Sequence, residues 1–114
     1  MKILDIVAKA LEKVPINSTL RRNEIIKIVK DYAEDKYNIK INTGSIIPSD
    51  YCYNRINNGI DFKKSLKIFE FLGKGEYKYL GMNYPYTGKI YSKQIGDSIE
   101  TEVGFWKDGL VKIY

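Results

Sequence analysis

Ser45-Ile46-Ile47-Pro48-Ser49-Asp50-Tyr51-Cys52-Tyr53-Asn54-Arg55-Ile56-Asn57-Asn58-Gly59 is the stretch on which the reading of the whole chain turns. A serine hydroxyl able to cap free N–H groups stands just ahead of a proline tolerated in a first helical turn. Asn57-Asn58-Gly59 then supplies residues that accept the left-handed conformation at a helix end. These signals predict a short third helix over residues 46–56. Its surface is unusual, offering Ser49, Asp50, Tyr51, Tyr53, Asn54 and Arg55 within seven positions.

Upstream, Ile3, Ile6, Val7, Ala10, Leu11 and Val14 recur at the spacing of one helix face, and Pro15 stops the run. Ile25, Ile26, Val29, Tyr32 and Ala33 predict a second helix from Asn23 to Asp35. Downstream, Leu66–Leu72 and Glu76–Leu80 are two aromatic, β-favouring runs separated by Gly73-Lys74-Gly75, which predicts a hairpin. Lys89–Lys93, Ile99–Trp106 and Leu110–Tyr114 read as further strands, with Lys107-Asp108-Gly109 as the last turn. Three helices followed by a hairpin is the order of a winged helix. The expected fold is therefore α+β: a winged helix of three helices plus a β-hairpin wing, with a C-terminal β extension. Residues 1–114 are expected to form one domain, helical over 1–59, with the wing and C-terminal strands over 60–114.

A chain of 114 residues, 44% hydrophobic and 29% charged, has the size and composition to bury a core without disulfides. Cys52 is the only cysteine, so no internal disulfide forms, and a cytoplasmic location is the expectation. Asp5, Lys9, Glu12 and Lys13 interrupt the N-terminal apolar positions, unlike a signal peptide. No apolar run approaches the roughly 20 residues of a membrane span, so no membrane partner is expected. The net charge is +5, and residues 62–93 carry seven lysines against Glu70 and Glu76. Such a stretch beside a predicted hairpin suits phosphates; a solvated lysine face is the competing reading.

The expected partner is double-stranded DNA, bound by a non-catalytic module, with a protein partner or a homodimer as the alternative. On the predicted third helix, Asn54 and Arg55 have the chemistry to read adenine and guanine edges, and Ser49 and Tyr53 stand on the same polar surface. Arg21 and Arg22, ahead of the second helix, and Lys63, Lys64 and Lys74 are the candidate phosphate contacts. Each has a plain alternative: Asn54 and Arg55 as a polar helix end, Tyr53 as core filling, Arg21-Arg22 as a solvated pair. Lys74 could equally guard a strand edge. Asp50 counts against a groove-facing helix, because its carboxylate repels phosphate. Tyr77 and Tyr79 alternate with Glu76 and Lys78, which points the tyrosines toward the core.

Catalysis has little to stand on. The chain has no histidine, so there is no imidazole base or Ser/His or Cys/His pair. Cys52, between two tyrosines, reads as a small buried hydrophobe. No Gly-rich phosphate loop ending in Lys-Ser/Thr occurs, and no cofactor is expected. Asp50 or Asp61 with Glu76-x-Lys78 has the form of a magnesium-dependent nuclease set, which competes with a simple ion pair between Glu76 and Lys78 on one strand face.

The run Gly44–Arg55, then Asn58-Gly59-Ile60, Phe69–Gly73, Tyr79-Leu80-Gly81 and Asn83-Tyr84-Pro85-Tyr86-Thr87-Gly88, resembles a bacterial family of small, largely uncharacterised winged-helix-like domains. The similarity runs over most of the chain. Family members occur alone and fused to nuclease or restriction-type partners, so the resemblance implies a DNA-recognition module; it implies no catalytic residues.

Overall fold

The computed structural model describes residues 2–57, 60–93 and 100–114. Two α-helices form where the periodicity places them. Helix α1 spans Ile3–Ala10 and α2 spans Arg22–Tyr37. The first ends four residues earlier than its apolar pattern, since the chain leaves the helix at Leu11. The start of α2 is fixed by the Glu24 carboxylate, which accepts the Arg21 backbone N–H at 2.9 Å. Its end is fixed by Asn38, in the left-handed conformation that asparagine accepts. Ile6, Val7, Ala10 and Leu11 of the first helical segment are buried with Ile25, Val29 and Ala33 of the second.

The third helix does not form, and this overturns the winged-helix expectation. Thr43–Ser45 and Pro48–Tyr51 are single 3₁₀ turns. Asn42, not Ser45, does the capping, its side chain accepting the Gly44 N–H at 3.0 Å. After Pro48, in the first turn as expected, the chain becomes extended: Cys52 bridges Phe69 in parallel, and Arg55–Asn57 is a strand. The cause lies in Tyr51-Cys52-Tyr53. All three are buried. Three successive residues on a helix fan out over some 200°, so one of them would be turned away from a single core. An extended segment between two cores buries all three, Tyr51 and Cys52 in one and Tyr53 in the other. The predicted closing turn at Asn58-Gly59 lies outside the described residues.

The result is a sheet-rich fold of two sheets. Strands β1 (Thr19–Arg21), β3 (Phe69–Gly73) and β4 (Glu76–Tyr79) form an antiparallel sheet in the order β1-β4-β3. The predicted hairpin is thus present, joined by a strand, β1, that the sequence reading did not predict. The second sheet has the order β2-β5-β6-β7, from Arg55–Asn57, Gly88–Lys93, Thr101–Lys107 and Leu110–Ile113. Strand β2 lies parallel to β5, and the other pairs are antiparallel. The predicted start of the middle strand at Ile99 lies outside the described residues.

Each sheet has its own core. The helices cover the small sheet over Ile68, Phe69, Tyr77 and Tyr79, which confirms the inward orientation of the two tyrosines. The large sheet is packed by Tyr53, Phe62, Leu80, Tyr86, Ile90 and Trp106. Among the described residues, no helix is long and apolar enough to cross a membrane.

Candidate functional site

The four candidates from the predicted third helix serve the junction between the sheets. Tyr53 is 2% exposed and cannot meet a phosphate from within the core. Its hydroxyl donates to Gly81 O at 2.7 Å and accepts the Tyr84 N–H at 3.0 Å, while its carbonyl accepts from Trp106 Nε1 at 2.7 Å. The Asn54 amide acts as an extra strand residue: it donates to Phe71 O at 3.0 Å and accepts the Phe71 N–H at 2.8 Å. Both polar edges it would offer a base are thereby occupied. The Arg55 guanidinium lies 4.7 Å from the Phe71 ring centre, donates to Asn57 Oδ1 at 3.1 Å and pairs with Glu100 at 2.8 Å. Ser49 Oγ accepts from Asn57 Nδ2 at 2.9 Å, and Asp50 accepts from the same nitrogen at 2.6 Å. Sequence reasoning missed Asn57 as the hydrogen-bond partner shared by Ser49 and Asp50.

The other candidates separate into two groups. Arg21 ends β1 opposite Glu76 of β4, and the N–H of Arg22, the first residue of α2, donates to Gly75 O at 3.1 Å. Lys74 is the residue before Gly75 at the tip of the β3–β4 hairpin, with a positive φ of 50°. One end of the small sheet therefore gathers Arg21, Arg22 and Lys74 from a strand end, a helix start and a turn. All three are exposed, and none makes an ion pair among the described residues.

Lys63 and Lys64 stand elsewhere, in an exposed turn after Asp61, whose carboxylate accepts the Lys63 N–H at 3.2 Å and lies 4.0 Å from the Lys64 ammonium. This turn borders a groove shared with α1, lined in part by Leu4, Lys64, Leu66 and Met82.

Two members of the nuclease set, Lys78 and Asp50, have partners elsewhere in the fold. Lys78 pairs across the hairpin with Glu70 at 3.6 Å, and not with Glu76 along its own strand as the sequence suggested. Asp50 is engaged with Asn57. Cys52 is 1% exposed, and burial pushes its thiol above the ordinary range, so the thiolate is disfavoured.

The comparisons with known proteins place this chain in a family. The chain is 47% identical over 90 residues to "Uncharacterized protein YnaC" of Bacillus subtilis (strain 168), an alignment that covers 77% of this chain and 33% of that protein. The chain thus spans about a third of the length of that relative. No solved structure matches. A family match extends over residues 2–113, both cores and the junction included, and the chain belongs to that family, described as Domain of unknown function (DUF7225).

Proposed function

We propose that this chain is a non-catalytic module that binds duplex DNA by its phosphates, through Arg21, Arg22 and Lys74 at the hairpin end of the small sheet. The observation that carries the reading is the convergence of three exposed cations from three elements, held in place by the Arg22 N–H to Gly75 O bond. Two guanidinium groups beside the first turn of α2 suit an anion, because planar forks of N–H donors match phosphate oxygens and the helix dipole there favours negative charge. Lys74 adds a second argument. With Gly75 at φ 72°, it occupies a two-residue turn in which both positions have positive φ. Lysine is disfavoured there, by roughly 1 kcal/mol in the left-handed region, where asparagine, aspartate or glycine fits. Residues set against local preference cluster at functional sites.

Base reading by Asn54 and Arg55 drops out, since both are committed within the fold. The proposed binding is correspondingly weak in sequence preference and steep in salt. Fluorescence anisotropy with a pool of random duplexes, measured from low to rising salt, tests it. Affinity should fall with salt on a log–log slope of roughly −2 to −3, matching three phosphate contacts. Absence of binding at the lowest salt removes the reading.

A second reading, a protein partner or a second copy, is favoured by β7, the edge of the large sheet. Leu110 is 78% exposed and Tyr114 69%, with Val111 and Ile113 also exposed. Exposed apolar edges invite strand pairing. Sedimentation over a wide concentration range would show a mass that rises if a second copy is the partner.

A further inference from the structure

The Asn83–Gly88 segment, prominent in the sequence, takes no part in the phosphate contacts, yet the structure fixes it firmly. The Tyr84 N–H is held by the Tyr53 hydroxyl, and the Tyr86 N–H turns back to Tyr84 O at 2.8 Å around Pro85. Tyr86 O accepts the Gly109 N–H at 2.9 Å, Thr87 Oγ1 accepts the Asp108 N–H at 2.9 Å, and the Tyr86 hydroxyl donates to Glu70 at 2.7 Å. A loop pinned at this many points is a preorganised wall.

That wall bounds a cleft of about 500 Å³, within the range of small-molecule sites. The cleft lies beyond the C-terminal end of β4, at the opposite end of that strand from Lys74. Tyr84 and Pro85 form one side, Leu66 and Lys67 stand in another, and Met82, 59% exposed, sits at the rim. The half-buried Lys67 ammonium donates to Ser65 O at 3.0 Å and to Phe62 O, and stands 4.5 Å from the Phe62 ring centre. An ammonium has three N–H donors, so one remains. Asp108, on the β6–β7 turn that also lines the cleft, has a carboxylate with no ion pair or side-chain hydrogen bond among the described residues. The Ser65-Leu66-Met82 wall is shared with the neighbouring groove that holds Lys64.

We propose that this cleft binds a single nucleobase, stacked on Tyr84 and recognised by Lys67 as donor and Asp108 as acceptor, with Lys64 placed to meet an attached phosphate. A flat ring answers the aromatic and proline surfaces, and a base edge bearing both donors and acceptors answers a free N–H and a free carboxylate in one cleft. An apolar ligand would leave both charges without partners. The base has two possible sources, a free nucleotide or an unpaired position in a strand. This site goes beyond the phosphate contacts at the far end of β4 and stands or falls separately from them.

Trp106 is the chain's only tryptophan and lines the cleft, which makes it a built-in reporter. The whole chain is titrated with each of the four ribonucleoside 5′-monophosphates and with an unstructured single-stranded oligonucleotide, following Trp106 emission and heat. Saturable quenching by a mononucleotide below about 1 mM, matched by calorimetry, is expected. Y84L should weaken it by about tenfold or more, as loss of one stacking surface requires. K67M and D108N, the latter keeping an Asn-Gly turn, should change which base is preferred. Removal of Arg21, Arg22 and Lys74 charges should leave it unaltered. Quenching by the oligonucleotide alone assigns the base to a strand and supports the site. No saturable signal with any of the five, or binding indifferent to both Y84L and K67M, overturns the proposal, whatever duplex binding shows.

Discussion

Two hairpins of equal turn length close the two sheets, and they differ at one position. Between β6 and β7 the turn is Asp108-Gly109, with φ of 48° and 85°; between β3 and β4 it is Lys74-Gly75, with φ of 50° and 72°. Aspartate is among the few non-glycine residues enriched in the left-handed conformation, whereas lysine is not. The large sheet follows the local rule, and the small sheet departs from it at the tip to which we assign DNA contact. The sheets behind the tips also differ. The small one is buried by helices with aliphatic side chains from adjacent turns, and the large one by a mainly aromatic group, with Leu80 and Ile90, drawn from five distant segments.

The comparison can be broken most severely at the cores. Phe69→Ala and Trp106→Ala should each destabilise by about 3–5 kcal/mol, seen as a shift in urea midpoint. Because Tyr51–Tyr53 belongs to both cores, each variant should lower one shared transition. Two separate transitions would show the sheets to be independent. Asn54→Ala, which strips the Phe71 N–H and C=O of their partners, should cost about 2 kcal/mol. The tips give a smaller, signed test. Lys74→Asn should raise stability by roughly 0.5–1 kcal/mol while weakening DNA binding, and Asp108→Lys should lower stability by a similar amount. A stability loss in Lys74→Asn would mean that lysine suits its turn, and the contrast between the tips would disappear.

The smallest effect is silent at neutral pH. Burial, with the adjoining Glu70 carboxylate, raises the Tyr86 hydroxyl above the ordinary tyrosine range, and burial raises Tyr53, Tyr77 and Tyr79 as well. A group that holds its proton more tightly when folded stabilises the fold fully below its unfolded pKa of about 10, and loses that contribution as pH rises beyond it. Stability should hold to about pH 10 and then fall. Since Tyr77 and Tyr79 belong to the small-sheet core while Tyr53 and the most strongly raised, Tyr86, belong to the large one, Tyr86→Phe tests which sheet yields first.

Helical periodicity made α1 and α2 legible, and glycine-bearing turns made both hairpins legible, because these signals are local. What failed was the reading of Ser45–Gly59, where a capping serine, an N-terminal proline and a terminal Asn-Gly outweighed three consecutive core side chains. Their burial depends on Phe69, Tyr84 and Trp106, far along the chain, and no window around residue 50 contains those partners. Parallel pairing of β2 with β5 was hidden for the same reason. The candidate site was partly legible: Arg21, Arg22 and Lys74 are exposed as cations flanking a helix start and a turn should be, but their convergence rests on β1, which the sequence reading missed. Tyr53, Asn54 and Arg55 drew attention for their chemistry, which the fold spends internally.

The most direct test compares two variants in salt-dependent anisotropy on the same duplex pool. Replacing Arg21, Arg22 and Lys74 together with Gln, Gln and Asn should abolish binding, or leave it weak with the log–log salt slope reduced by roughly 2–3. Arg55→Gln, which breaks the Glu100 pair, should leave affinity and slope as they are in the native chain. Native-like binding by the triple variant, or loss of binding in Arg55→Gln with the fold intact, would contradict the assignment of DNA contact to the hairpin end of the small sheet.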